Sequence, residues 1–179
     1  IMIGYYKDKE KTNEVIKNGY FHTGDIGQID ADGFLKITDR KKAMFKTSGG
    51  KYIAPQVIEN AMKQSLLIEQ IMVIGENQKF PAALIQINFE AIKTWAKEKE
   101  IILTANQAEW CKNLEIRNKV MDEINKINES FGQWEKLKEI RITPDTWSVN
   151  DGHLTPTMKL KRKILEEKYN SLIKNIYTD

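Results

Sequence analysis

The stretch from Asp39 to Pro55 concentrates positive charge around two consecutive glycines, Gly49 and Gly50. Its five cations are Arg40, Lys41, Lys42, Lys46 and Lys51. Because glycine has no Cβ, its backbone N–H groups can approach a ligand closely, and Lys and Arg neutralise phosphate charge. The pattern therefore indicates a site for a phosphate-rich ligand. The alternative is a charged hairpin loop that contacts only solvent, since short glycine and lysine motifs also occur by chance.

A carboxylate at the end of a short predicted strand is a second candidate. Asp25 follows Thr23 and Gly24, where its two oxygens can accept hydrogen bonds from a vicinal diol such as a ribose. The alternative is an aspartate that binds backbone N–H groups within a turn. We interpret the nearby His22 as flanking a strand rather than as catalytic.

Lys159 is the third candidate. It follows a turn-rich lead-in, and the pattern places it at the start of the last helix, outside the core. A lysine in that position can neutralise charge that develops on a phosphoryl or carboxyl oxygen. The alternative is a surface lysine on a basic helix start, which the helix dipole slightly disfavours.

Apolar periodicity and turn residues predict the elements that position these candidates. Residues 1–38 read as short β elements with a turn at 30–33, and they offer little core for an independent domain. From residue 40 onward the chain predicts an α+β fold, in which helices pack on a small sheet. The predicted strands are 70–74, 82–89 and 137–143, the first two forming a hairpin. One predicted helix begins at Pro55, and three others span 90–100, 107–130 and 156–177.

The composition limits the classes of protein. The 179 residues carry 28 basic and 25 acidic side chains, a net charge of +3, which is too balanced for a dedicated nucleic-acid binder. No apolar run approaches the length of a membrane span or of a targeting segment. The single cysteine, Cys111, cannot form an internal disulfide, which favours a reducing cytoplasm. Because the chain begins with Ile1 rather than methionine, we expect it to start within a longer protein.

Three segments, in this order along the chain, resemble the C-terminal portion of AMP-forming acyl-CoA synthetases, which belong to the adenylate-forming superfamily. The segments are Tyr20 to Asp25, Asp39 to Glu59, and Leu154 to Arg162. The Leu154-Thr155-Pro156-Thr157 sequence and the long helical stretch between Glu90 and Phe131 look most like the long-chain fatty acid branch. The resemblance covers essentially the whole chain.

The resemblance implies roles for three residues before the glycine pair. Asp25 matches the aspartate that binds the ribose hydroxyls of ATP and AMP, and Arg40 matches an arginine that also reaches the ribose. Lys42 matches the hinge position about which the small domain rotates.

The resemblance also implies roles in the two chemical steps. Lys46 matches a lysine near the thioester-forming site, and Ser48, Gly49 and Gly50 match the segment that lines the pantetheine channel of CoA. Lys159 matches the lysine that contacts the α-phosphate and the carboxylate during adenylation. Many relatives have glycine immediately before this lysine, whereas Met158 stands here, so Lys161 is the alternative assignment. No metal ligand is assigned to this chain.

The implied reaction has two halves. A fatty carboxylate attacks the α-phosphate of Mg·ATP to give acyl-AMP and pyrophosphate, and the CoA thiol then displaces AMP. ATP, Mg²⁺ and CoA serve the full-length enzyme, and we expect none of them to bind tightly to this chain alone, which should be catalytically inert. A hinge rotation would present Lys159 in the first step and the Gly49-Gly50 segment in the second.

The same resemblance predicts the domain organisation and the partners. Residues 1–39 would be the C-terminal tail of a large adenylation domain supplied by the same polypeptide, and residues 40–179 the small lid domain. We expect a cytoplasmic protein with peripheral membrane contact as an option and no nucleic-acid partner. Two other functions stay open: an adenylating enzyme that loads an acyl carrier protein, and a basic nucleic-acid-binding module.

Overall fold

A computed structural model describes residues 2–178, and the chain divides into two compact units, one up to Met44 and one from Phe45 onward. In the first unit, β3 and β4 form an antiparallel hairpin, as the turn residues predicted. Asp30 Oδ1 closes the turn by accepting hydrogen bonds from the backbone N–H groups of Asp32 and Phe34. The elements of this unit are α1 (Lys9–Val15), β1 (Ile16–Lys17), β2 (Tyr20–Phe21), β3 (Asp25–Ile29) and β4 (Leu35–Arg40).

The described part of the first unit contributes no residue to an apolar core. Several large apolar side chains of its hairpin are instead exposed to solvent. They are Ile29, Phe34, Leu35 and Ile37. This agrees with the expectation that the first 38 residues offer little core of their own.

The second unit has the predicted α+β character, with helices packed on a small sheet. Its sheet has the strand order β7-β8-β9, in which β7 and β8 pair antiparallel and β8 and β9 pair parallel. The strands are β5 (Phe45–Lys46), β6 (Tyr52–Ile53), β7 (Ile68–Ile74), β8 (Ala82–Ile87) and β9 (Glu139–Ile142). The helices are α2 (Pro55–Met62), α3 (Phe89–Glu98), α4 (Gln107–Trp110), α5 (Leu114–Asn128), α6 (Arg162–Lys168) and α7 (Asn170–Tyr177).

Two apolar clusters cover opposite faces of the β7-β8-β9 sheet, because successive side chains of a strand point to opposite sides. In the first cluster, Ile71 and Val73 of β7 pack against α2, α3, α4 and α5. In the second cluster, Met72 and Ile74 of β7 pack against α6, α7 and the loop around Leu154. We name these faces the α2/α5 face and the α6/α7 face. The central strand β8 is buried along its whole length.

Two predicted helices differ from the structure. The helix predicted over 107–130 is interrupted at Cys111 to Asn113, because the Asn113 side chain accepts hydrogen bonds from the N–H groups of Glu115 and Ile116 and starts a new helix. Leu114, the first residue of the new helix, is 70% exposed.

The helix predicted over 156–177 begins only at Arg162 and is broken at Tyr169. Lys159 therefore does not lie at a helix start, and that part of the prediction was wrong. No helix within residues 2–178 combines the length and the apolar character needed to cross a bilayer.

Candidate functional site

The first unit brings two of the predicted site residues together. Asp25 and Arg40 are directly opposite one another in the β3-β4 hairpin, so their side chains project from the same face. Arg40 Nε lies 3.1 Å from Asp25 Oδ1. The Arg40 side chain is 63% exposed and that of Asp25 is 26% exposed, so the pair is open to a ligand.

The Asp25 carboxylate lies beside the Arg40 cation at the start of β3. The backbone N–H of Asp25 donates to Thr23 Oγ1 at 3.1 Å, which fixes the start of β3. The Asp25 oxygens can accept hydroxyl protons, and the Arg40 guanidinium can donate to hydroxyl or ether oxygens. Lys42 is exposed in the turn that follows β4, two residues before the unit ends.

The glycine pair lies in a tight turn between β5 and β6. The backbone N–H of Thr47 donates to Lys51 O at 2.9 Å, and that of Gly50 donates to Thr47 O at 2.9 Å. Gly50 has a φ of +81°, which a residue with a Cβ adopts only at a cost, so the turn needs a glycine at this position. We call residues 46–51 the glycine turn.

Lys46 stands at the base of the glycine turn, on an exposed position of β5. Its Nζ lies 5.5 Å from the centre of the Tyr52 ring, and its Cε lies close to the open side of Gly50. Ser48 and Gly49 are exposed, and nothing lies within 4 Å of the position that a Cβ on Gly49 would take. The structure thus brings Lys46, Ser48, Gly49 and Gly50 together with room for a ligand beside the backbone.

Lys159 ends a second tight turn. The backbone N–H of Thr155 donates to Lys159 O at 2.8 Å, and the N–H of Lys159 donates to Thr155 Oγ1 at 3.1 Å. Leu154 and Leu160 form an isolated antiparallel bridge on either side. We call residues 155–159 the lysine turn. Its hydrogen bonds form a hairpin-like turn, which explains why the helix starts six residues later than predicted.

Met158 has a φ of +60°, in the left-handed region that favours glycine. The resemblance identified this residue as standing where many relatives have glycine before the adenylation lysine. The backbone of this chain therefore has a glycine-like conformation at position 158. Lys159 stays the predicted counterpart of that lysine, with Lys161 as the alternative.

The residues that flank the two turns of the second unit pack on opposite faces of the sheet. Phe45 and Ile53, next to the glycine turn, pack in the cluster of the α2/α5 face. Leu154 and Leu160, on either side of the lysine turn, pack in the cluster of the α6/α7 face. Lys159 itself is exposed.

Sequence reasoning did not single out two residues that support the lysine turn. Glu59 is 6% exposed on the inner face of α2, and it forms an ion pair with Arg162 at the start of α6. A signal was available in the sequence, because Glu59 has the helical spacing of the apolar Pro55, Ile58 and Met62.

Among residues 2–178, no three His, Cys, Asp or Glu side chains are grouped so that they could hold a metal ion.

Comparison with known proteins identifies relatives along the whole chain. Long-chain-fatty-acid–CoA ligase FadD15 of Mycobacterium tuberculosis is 36% identical over 99% of this chain and 30% of its own length. Fatty acyl-CoA synthetase B of Dictyostelium discoideum is 40% identical over 99% of this chain and 27% of its own length. The chain thus spans less than a third of the length of these curated relatives.

A solved structure shares the fold. The A-PCP didomain of a carboxylic acid reductase from Segniliparus rugosus, in complex with AMP, aligns with a TM-score of 0.79 and 25% identity, covering 99% of this chain and 23% of that one. Residues 43–179 match the family model described as the C-terminal domain of AMP-binding enzymes. This match covers more than half of the chain and includes both turns, so the chain belongs to the AMP-binding enzyme C-terminal domain family.

Proposed function

We propose that this chain is the C-terminal part of an enzyme that activates a long-chain fatty acid with ATP and transfers the acyl group to CoA. Relatives that carry that activity in their names match 97–99% of the chain at 36–40% identity. The structural observation that carries the proposal is that the residues flanking the glycine turn and those flanking the lysine turn pack on opposite faces of one sheet. One rigid unit can then present either turn to a nucleotide site, but not both at once.

The proposed division of labour follows from the chemistry of each turn. Lys159 would hold the α-phosphate and the carboxylate, because its charge neutralises the negative charge that builds up there as acyl-AMP forms. Lys46 and the exposed segment of Ser48, Gly49 and Gly50 would line the path of the CoA thiol in the second step. Rotation about Lys42 would exchange the two turns, a hinge movement of the kind that many two-step enzymes use.

The proposed nucleotide contacts lie in the first unit. The Asp25 and Arg40 pair would bind the ribose, and Mg²⁺ would arrive with the ATP phosphates. The exposed apolar side chains of the hairpin support the proposal that residues 1–39 are the end of a large adenylation domain in the same polypeptide. Residues 40–179 would form the movable lid.

The decisive experiment replaces Lys159 by alanine in the full-length enzyme and measures the two half-reactions separately. Loss of a preorganised charge typically lowers a rate by about a hundred- to a thousandfold. We expect the rate of acyl-AMP formation, measured as pyrophosphate release, to fall by that factor. Thioester formation from supplied acyl-AMP should continue at its normal rate. Lys161→Ala is the matched control. Equal loss in both steps, or a larger effect of Lys161→Ala, would contradict the proposal.

Two further expectations stay predictions. Assay of the full-length enzyme with CoA and with an acyl carrier protein distinguishes the proposed acceptor from its alternative. Subcellular fractionation tests the cytoplasmic location that the single cysteine led us to expect, and vesicle sedimentation tests peripheral membrane contact.

A further inference from the structure

A buried carboxylate connects α2 with the segment that carries Lys159. Glu59 Oε1 accepts hydrogen bonds from the backbone N–H of Val73, at 2.7 Å, and from Nη2 of Arg162. Arg162 Nη1 donates to the carbonyl oxygen of Val73 at 3.0 Å. Glu59 and Arg162 are 103 positions apart in the chain, so this contact depends entirely on the tertiary fold.

The contact closes the outer edge of the sheet. Val73 belongs to β7, which has β8 on one side only, so its outward N–H and C=O would otherwise lack partners in the sheet. Glu59 satisfies the N–H and Arg162 satisfies the C=O. Burial raises the pKa of Glu59, and the Arg162 charge and the Val73 N–H act in the opposite direction.

Arg162 is separated from Lys159 by only two residues, and both ends of this short segment are fixed. Thr155 binds the backbone of Lys159 on one side. The N–H of Lys161 donates to His153 O at 2.9 Å, and Arg162 is bound to Glu59 and Val73 on the other side. Little slack is left in the backbone between the lysine turn and the edge of β7.

We propose that Glu59 is a positioning residue for the adenylation step, which acts through Arg162 to set the place of the Lys159 backbone. This inference rests on the proposed role of Lys159. Glu59 does not itself contact the reacting atoms. A displacement of about 1 Å at a catalytic group can lower a rate by about a hundredfold, so a remote anchor of this kind has a measurable effect.

A purely structural role for the pair predicts something different. If Glu59 and Arg162 only stabilise the edge of β7, their replacement lowers the melting temperature and affects both half-reactions alike. A positioning role lowers acyl-AMP formation and spares thioester formation, because the residues that flank the glycine turn pack on the other face of the sheet. The ratio of the two half-reaction rates therefore separates the two roles.

The experiment uses the full-length enzyme with Glu59→Gln and Arg162→Lys. Glu59→Gln keeps an oxygen for the Val73 N–H but removes the charge that holds Arg162. Arg162→Lys keeps the positive charge but cannot bind the Glu59 carboxylate and the Val73 carbonyl oxygen together as the guanidinium does. Glu123→Gln is the matched control, since Glu123 pairs with Lys119 and Lys126 on α5 and has no contact with the lysine turn. We expect acyl-AMP formation to fall about ten- to a hundredfold in both test variants, with no change in the control.

A combination with Lys159→Ala tests whether the effect passes through Lys159. If it does, Glu59→Gln lowers acyl-AMP formation no further once Lys159 is absent. A full additional loss in the double variant would overturn the inference, and so would wild-type half-reaction rates in either folded test variant. Failure of the proposed function is distinguishable, because Lys159→Ala alone would then leave acyl-AMP formation unchanged. Arg162→Lys decides the matter if Glu59→Gln does not fold.

Discussion

The variant Met158→Gly should be more stable than the variant Met158→Ala, although alanine is usually the more stabilising of these two residues. The reason is the φ of +60° at Met158, a conformation in which the Cβ of an L-residue crowds the neighbouring carbonyl oxygen. Met158 is 57% exposed, so removal of its side chain sacrifices little packing. The comparison of glycine with alanine therefore isolates the effect of the Cβ.

Two opposing terms set the expected size of the effect. The left-handed conformation costs about 1–2 kcal/mol for a residue with a Cβ. Glycine loses about 0.5–1 kcal/mol more than alanine through its greater freedom in the unfolded chain. At the midpoints of these two ranges, about 1.5 and about 0.75 kcal/mol, Met158→Gly is more stable than Met158→Ala by about 0.75 kcal/mol. For a chain of this size that corresponds to a rise in melting temperature of about 1–4 °C.

Thermal unfolding followed by circular dichroism measures the difference, and Lys93 supplies the control. Lys93 is exposed in the middle of α3. In this ordinary helical backbone, glycine makes the folded chain about 1 kcal/mol less stable than alanine does. The order of the two substitutions should thus reverse between positions 158 and 93. If Met158→Ala melts at or above the temperature of Met158→Gly, the argument from backbone conformation is refuted.

Two further predictions concern single side chains. Asp25→Asn in the full-length enzyme should raise the KM for ATP about ten- to a hundredfold, because hydrogen bonds to a charged acceptor contribute about 1.5–3 kcal/mol. Asp32 is exposed in the same hairpin, and Asp32→Asn should leave the KM for ATP unchanged. An equal KM in the two variants would count against ribose binding by Asp25. Burial raises the pKa of the Cys111 thiol to about 11. At pH 8 only about one thiol in a thousand is then ionised, so iodoacetamide should label the folded chain about two orders of magnitude more slowly than the unfolded chain, with a tenfold rise per pH unit. Equal labelling rates in the two states would contradict this.

The fold was largely predictable from the sequence because its main elements are regular. Pro55 followed by apolar residues at helical spacing predicted α2, and two runs rich in Ile and Val predicted the hairpin of β7 and β8. Both predictions are confirmed. These signals are local, since each depends on residues within one element.

The predictions that failed depended on single residues with unusual backbone conformations or contacts. Nothing in its side chain marks Met158 as having a positive φ, so the sequence predicts the start of a helix where the structure has the lysine turn. Asn113 interrupts a long amphipathic pattern because its side chain caps a new helix, an effect that apolar periodicity does not register. The roles of the predicted site residues stay predictions until the half-reactions are measured.

The pair of Glu59 and Arg162 also bears on how the two turns can alternate. Glu59 belongs to the helix on the α2/α5 face, whereas Arg162 begins the first helix on the α6/α7 face; Glu59 binds the backbone N–H of Val73 and Arg162 binds its C=O. Because this contact joins the layers on the two faces at the edge of the sheet, the lysine turn cannot shift far relative to the glycine turn without breaking it. The proposed exchange of turns therefore requires rotation of the whole second unit, not separate movements of two loops.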